Sequence, residues 1–222
     1  MTTRPDPYNP LARVNLGRSV ENALLQQPPL PLADLEPFVG AGVYAIYYVG
    51  DFAAYAPVSS DDCAIPIYVG KAVPAGARQG KLGLTVNPGR ALYSRLRDHQ
   101  KSISNAENLD VSHFWCRYLV VEDIWIPLGE SLLIAHFRPV WNQALDGFGI
   151  HTPGRGRFGS RRSDWDELHP GRPWYDKMVA QTTPSDLEEK IATHFEAHPP
   201  RRPEELPSPA EDEGLEEQST SD

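Results

Sequence analysis

The chain has 222 residues, with 21 Lys and Arg against 30 Asp and Glu, a formal charge of −9 and a hydrophobic fraction of 40%. That is long enough to bury a core in one domain, while two cysteines, Cys63 and Cys116, cannot build a disulfide framework or by themselves a structural zinc site. The most apolar stretch, residues 42–50, falls far short of the roughly 20 residues of a membrane span, and the first residues lack the basic-then-apolar order of a secretory signal, so the expected setting is the cytoplasm.

In chain order, residues 11–26 place Leu11, Val14, Leu16, Val20, Ala23 and Leu24 at roughly helical spacing, which predicts a helix ended by Gln27-Pro28-Pro29. The run PPLPLADLEPF reads as an irregular connector, so residues 1–39 form an N-terminal arm. Residues 42–49 (GVYAIYYV) and 65–69 (IPIYV) are β-branched and aromatic and predict two buried strands. Residues 50–65 then form an insertion that expands the turn of their hairpin. Residues 70–90 are a basic, Gly-rich loop. Residues 91–104 predict a helix with Leu92, Leu96 and Ile103 inward, residues 111–121 a third strand, and residues 125–137 a helix with Pro127 in its first turn, stopped by Arg138-Pro139. Residues 143–172 are rich in Gly and Arg without period and read as a long exposed segment, a length that in compact domains tends to be functional. Residues 184–198 predict a helix with Leu187, Ile191 and Phe195 on one face, and residues 199–222 a disordered acidic tail. The order strand, strand, helix, strand, helix over residues 40–145 predicts an α+β core: a small, mainly antiparallel three-stranded sheet flanked by helices. Residues 146–198 follow it as an extension.

The acidic total hides local basic patches. Residues 201–222 hold two Arg and eight acids, whereas residues 71–101 hold seven basic residues and one acid, and residues 151–163 hold four Arg and no acid. Beyond about 8 Å charges are largely screened in physiological salt, so an anion at contact feels the patch and a nucleic-acid partner is compatible with the sequence.

Several residues could carry chemistry. Tyr44 and Tyr68 lie in the two predicted strands, and if those pair, both hydroxyls can share a sheet face; ordinary strand aromatics are the plain alternative. Arg95 and His99 stand four apart on one helix face; a guanidinium fits phosphate and an imidazole moves protons near neutrality, or both are simply solvated. Glu130 sits among Leu128, Leu132, Leu133 and Ile134, where a carboxylate needs a partner, a metal or an outward direction. Asn142 could be a cap or turn residue. Gly154-Arg-Gly156-Arg-Phe-Gly159 matches a dinucleotide-binding pattern in letters only, since no strand precedes it, and Asp146-Gly-Phe-Gly lacks every other kinase feature. His151 and His169, with the cysteines distant in sequence, do not make a zinc set.

Taken in order, these residues resemble the GIY-YIG nuclease superfamily: Gly42-Val43-Tyr44, Tyr68-Val69-Gly70 followed by Lys71, then Arg95, His99, Glu130 and Asn142. The resemblance covers residues 40–145. The long insert, YVGKAVPAGARQGK and the stretch from DGFGIHTPGRGR to SDWDELHPGRPW are similar to the type II restriction branch that cuts the palindrome CCGCGG, which extends the likeness to about residue 180. It implies double-stranded DNA as substrate, a homodimer on that DNA, a cognate methyltransferase in the same system, and one Mg²⁺ held by Glu130. It further implies Tyr44 as general base helped by His99, Arg95 on the scissile phosphate, Tyr68 placing the water, and Asn142 bracing Glu130 or the site wall. Lys71, Arg78, Lys81, Arg155, Arg157, Arg161 and Arg162 would contact DNA, through phosphate or guanine edges. A structure-specific repair nuclease of the same superfamily, or a non-catalytic DNA-binding subunit, are the alternatives.

Overall fold

A computed structural model describes residue 9 and residues 11–74 and 88–203. Arg78, Lys81 and the acidic tail from residue 204 onward lie outside the described residues. The helices are α1 (Arg13–Leu25), α2 (Ala91–Ser104), α3 (Ile126–Phe137), α4 (Val140–Gln143), α5 (Asp164–Leu168) and α6 (Pro184–Ala197). The strands are β1 (Leu30–Pro31), β2 (Gly42–Tyr48), β3 (Pro66–Ala72) and β4 (Phe114–Val120).

The fold is α+β, around one antiparallel sheet of strand order β1-β4-β2-β3. It has four strands where the sequence predicts three. The extra strand comes from the connector read as irregular: Leu30 and Pro31 stand opposite Cys116 and Trp115. A proline is tolerated there because β1 is an edge strand. β2 and β3 form the expected hairpin, with the insertion in its turn and a register irregularity at Ile46/Tyr47. No helix among the described residues is long and apolar enough to cross a membrane.

All seven residues of β2 are buried because both sheet faces are covered. With a period of two, Tyr44, Ile46 and Tyr48 face a layer containing Leu92, Leu96, Trp141 and Phe148, whereas Val43, Ala45 and Tyr47 face Leu24, Ile126 and Leu133 of α1 and α3. The α3 layer sits close because Gly129 has no side chain: a Cβ there would lie 3.1 Å from Val20 and 3.4 Å from Val43. This close seat sets the height of the next residue, Glu130. α6 starts with a capping box between Thr183 and Asp186. It buries Leu187 and Ile191 on the predicted face, with Phe195 partly buried beside them.

Residues 143–172 depart from expectation. Only part of the segment is exposed: residues 154–161 face solvent, whereas Phe148 and Trp165 are wholly buried and the charged or polar Asp164, Asp166, Glu167, His169 and Arg172 are buried too. Burial of charge is tolerated only with partners, and Arg172 has them. Its Nε donates to Asp166 Oδ1 at 2.5 Å, Nη1 to the Ile150 carbonyl at 2.8 Å and Nη2 to the Gly147 carbonyl at 3.1 Å. Its guanidinium lies 4.3 Å from the Trp165 ring centroid and 4.9 Å from that of Trp174. Arg172 thereby ties the 147–150 backbone to the core.

Asn142, in α4, forms a second tie. Its Nδ2 donates to the Val69 carbonyl and its Oδ1 accepts from the Val69 N–H, both at 2.8 Å. β3 is an edge strand, so the side-chain amide imitates the strand that is missing there. Replacing Asn142→Ala removes the partners of both Val69 groups and is expected to lower unfolding stability by about 1–3 kcal/mol. Urea denaturation measures this, and an unchanged midpoint would mean that the pair contributes nothing.

Candidate active site

The pairing of β2 with β3 puts Tyr44 opposite Gly70 and Ile46 opposite Tyr68, so the two phenols share a face, ring centroids 6.2 Å apart. Gly70 makes this possible. A Cβ at that position would stand 2.4 Å from the Tyr44 hydroxyl and 3.0 Å from the Tyr68 ring. The glycine of the YVG tripeptide is therefore the space into which the first tyrosine folds.

α2 delivers two residues to the same face. His99 is wholly buried, and its Nε2 lies 2.6 Å from the Tyr44 hydroxyl. Its ring stands 5.1 Å from that of Tyr68 and stacks on Phe148 at 4.5 Å. Arg95, one turn earlier, donates from Nη2 to the Gly149 carbonyl at 3.1 Å. Gly149 also lies over Tyr68, since a Cβ on it would be 3.0 Å from the Tyr68 hydroxyl. Burial pushes the Tyr44 phenol well above its ordinary value of about 10, the neighbouring Tyr68 adds to this, and the Arg95 guanidinium opposes it. Tyr68 is also raised, first by burial, with Arg95 opposing. Burial, then His151, Arg95 and Arg172, holds His99 well below the usual imidazole range. At neutral pH the Tyr44–His99 contact is thus one hydrogen bond between two neutral groups.

Glu130 approaches from the other layer. Lys71, which shares the parity of Val69 in β3, reaches Glu130 Oε2 at 2.5 Å. The carboxylate acts on both phenols, raising each pKa. Its side chain keeps 19% exposure. Among the described residues no group of three or more His, Cys, Asp or Glu could hold a metal. A single carboxylate suits a hard cation that keeps most of its waters, and does not suit one needing a full protein cage.

The basic residues separate into two kinds. Arg155 and Arg157 are exposed on a short 3-10 turn. Arg161 pairs with Asp164 and, at 3.5 Å, with Asp146. Arg162 is turned inward, with Nη1 3.0 Å from Glu167 Oε2, further bonds to the Tyr175 and Met178 carbonyls, and its guanidinium 3.6 Å from the Tyr175 ring centroid. Asn142 meets the wall of the site at Val69, as described above.

A family model, the Eco29kI GIY-YIG domain, matches residues 36–195. The chain belongs to that family. Its members are restriction endonucleases, so the chain is a nuclease whose substrate is DNA, and divalent metals are typical of GIY-YIG restriction nucleases. The match runs past the expected limit near residue 180 into α6, and begins after α1 and β1. The α+β architecture is accordingly a GIY-YIG core with extensions. A comparison with curated proteins gives no match.

Phe148, Gly149, His151 and Arg172 reach the site from stretches that carry the family resemblance but that give no sign of a role for these four residues. They come from the aperiodic segment, whose burial depends on charge pairs. The pairing of a second buried phenol and imidazole had no sequence signal either: Tyr55, from the insertion, lies 2.5 Å from His169 Nε2, and His169 Nδ1 lies 2.9 Å from Asn108 Oδ1.

Two outcomes are expected. Gly70→Ala forces the Tyr44 hydroxyl aside, and a displacement near 1 Å typically costs about 100-fold in rate; single-turnover cleavage reads the loss, and an undiminished rate would show that the Tyr44 position is immaterial. Second, His169 is held down to about 3 by burial and then by Arg172, and His151 to about 4 by burial and then by Arg95. The unfolded chain binds protons at these sites near pH 6.5, where the folded chain does not. Their contribution to stability is therefore complete above about pH 6.5 and is lost as pH falls toward 3. The melting temperature should fall steadily from pH 6.5 to 4, and a flat profile would contradict the burial of neutral imidazoles.

Proposed function

We propose that this chain is a sequence-specific type II restriction endonuclease that hydrolyses double-stranded DNA at a GC-rich palindrome such as CCGCGG, with Mg²⁺ and with Tyr44 as general base. The observation that carries this reading is the 2.6 Å contact between Tyr44 and His99 beside Arg95 and Tyr68, in a chain of this family.

A phenol that titrates well above 10 is no base at pH 7. It can take a proton from water only if its own proton leaves, and His99 Nε2 is the acceptor in reach. Arg95 favours negative charge on the phenol oxygen and is the group that grips the scissile phosphate. In the free chain Arg95 is engaged by the neutral Gly149 carbonyl. A charged phosphate oxygen forms the stronger bond, so DNA replaces the Gly149 carbonyl on Arg95 while Arg172 keeps the loop anchored. Tyr68 then orients the attacking water. Glu130, which Lys71 engages in the free chain, would hold Mg²⁺; when bound, the ion would supply positive charge to the phosphate and the leaving oxygen. Lys71 turns to a phosphate oxygen. Arg155 and Arg157, with Arg78 and Lys81, contact phosphates or guanine edges, while Arg161 and Arg162 hold the segment in place. A palindromic target mirrors two-fold symmetry, so a homodimer is the acting species, and a methyltransferase protects the same site elsewhere in the system.

Digestion of a sequenced plasmid with Mg²⁺, followed by end mapping, should give discrete fragments from one short sequence and stop with chelator. A smear, or cutting confined to branched substrates, would overturn the site-specific reading. Glu130→Ala should abolish cutting and keep the gel shift. Tyr44→Phe should slow single-turnover cleavage by roughly 100- to 10,000-fold, and a rate near that of the unaltered chain would remove Tyr44 as base.

A further inference from the structure

We infer that His151 is a functional residue of this site: it takes the proton that His99 must give up when Tyr44 hands it one, and passes that proton to solvent. The inference rests on the reading of Tyr44 as general base and adds the route out.

The two buried phenol–imidazole pairs differ in one respect. At His169 every hydrogen has a fixed place. Asn108 Nδ2 donates to the Leu168 carbonyl at 2.9 Å, so its Oδ1 faces His169. His169 Nδ1 carries the proton that this oxygen accepts, and Nε2 accepts from the Tyr55 hydroxyl. That pair is static. At His99 the same phenol contact exists, but Nδ1 is buried and has no hydrogen-bond partner among the described residues. Beside it, ring centroids 4.7 Å apart and interplanar angle 73°, stands His151, whose own Nε2 is also buried without a partner among the described residues. The other nitrogen of His151 lies 3.5 Å from the Ser102 hydroxyl. His151 is only partly buried, at the outer end of the loop that Arg172 anchors.

The charges around His99 forbid it to keep a proton. It faces Tyr44 from β2, Tyr68 from β3, Arg95 from its own helix, His151 from the loop, and Arg172. An imidazolium at this buried position, between two guanidinium groups, is disfavoured, so protonation at Nε2 requires loss from Nδ1. His151 faces Arg95, Arg172 and Lys101 and likewise releases rather than stores. Water loses a proton to the Tyr44 oxygen, the Tyr44 O–H bond breaks as His99 Nε2 gains its proton, and the His99 Nδ1–H proton goes to His151 when motion of the His151 ring brings its Nε2 within hydrogen-bond distance or admits one water between the two nitrogens, neither of which has a partner at rest among the described residues. His151 gives a proton to bulk solvent. The hydroxide attacks phosphorus and the P–O3′ bond breaks, and the leaving oxygen takes a proton from solvent. His99 ends as the other tautomer and never carries net charge.

The test uses the full chain with His151→Asn, and His151→Gln as a second variant. Single-turnover cleavage of saturating plasmid should slow by about tenfold, less than the roughly hundredfold or more lost with a group in direct contact. Gel-shift affinity should be unchanged, and added imidazole should restore part of the rate. Without DNA or metal, ¹⁵N-histidine NMR reads the solvent exchange of the His99 Nδ1–H, expected to slow by about tenfold in the variants because its path is cut. A merely structural role would loosen the loop and speed that exchange. Exchange that is unchanged or faster in both variants, together with full cleavage rates, overturns the relay. If Tyr44→Phe is inactive while both His151 variants match the unaltered chain, the relay fails and the base assignment stands. If Tyr44→Phe cuts normally, the base assignment fails, and the exchange measurement still decides whether His99 and His151 share a proton path.

Discussion

A phenol and an imidazole meet at 2.6 Å in the middle of this molecule, both shut off from solvent. Almost every other feature of the site answers to that contact. The glycine opposite Tyr44 makes room for its ring, the stacking of Phe148 fixes the plane of His99, and Arg95 supplies a nearby charge that favours negative oxygen. Burial makes both partners neutral at rest. It also makes any charged state of either strongly unfavourable, so chemistry there has to proceed by moving protons through the pair.

The loop over the site is held by its own fully buried cation. Arg172 binds two backbone carbonyls of residues 147–150, and between them lie the ring that packs on His99 and the carbonyl that engages Arg95. The same short segment therefore shapes the imidazole and blocks the guanidinium. Its anchor is rigid, while the blocking contact is a single bond to a neutral oxygen, which a phosphate can outcompete.

Much of this could be read from the chain. The GVY and YVG strands, the Arg95/His99 spacing, Glu130 in an apolar helix and four long helices all emerge from periodicity and residue type. What escaped did so for identifiable reasons. β1 is two residues inside a proline-rich connector and carries no alternation. Residues 143–172 look like a solvated loop throughout because the burial of residues 164–172 depends on ion pairs such as Arg172 with Asp166, which hydropathy cannot register. Arg162 and Arg155 are indistinguishable as letters, yet one stacks on Tyr175 inside the fold and the other is exposed. Asn142 gave no hint of its target, a backbone unit 73 positions earlier.

That last contact has a consequence for how the protein fails. α4 is four residues long and holds both Asn142, which covers the free edge of β3, and Trp141, which fills the core beneath. Loss of this one turn would empty a pocket in the interior and bare the strand edge at the same moment. A bared edge is a template for pairing with another chain, so heat inactivation should run through intermolecular association rather than through clean, reversible melting.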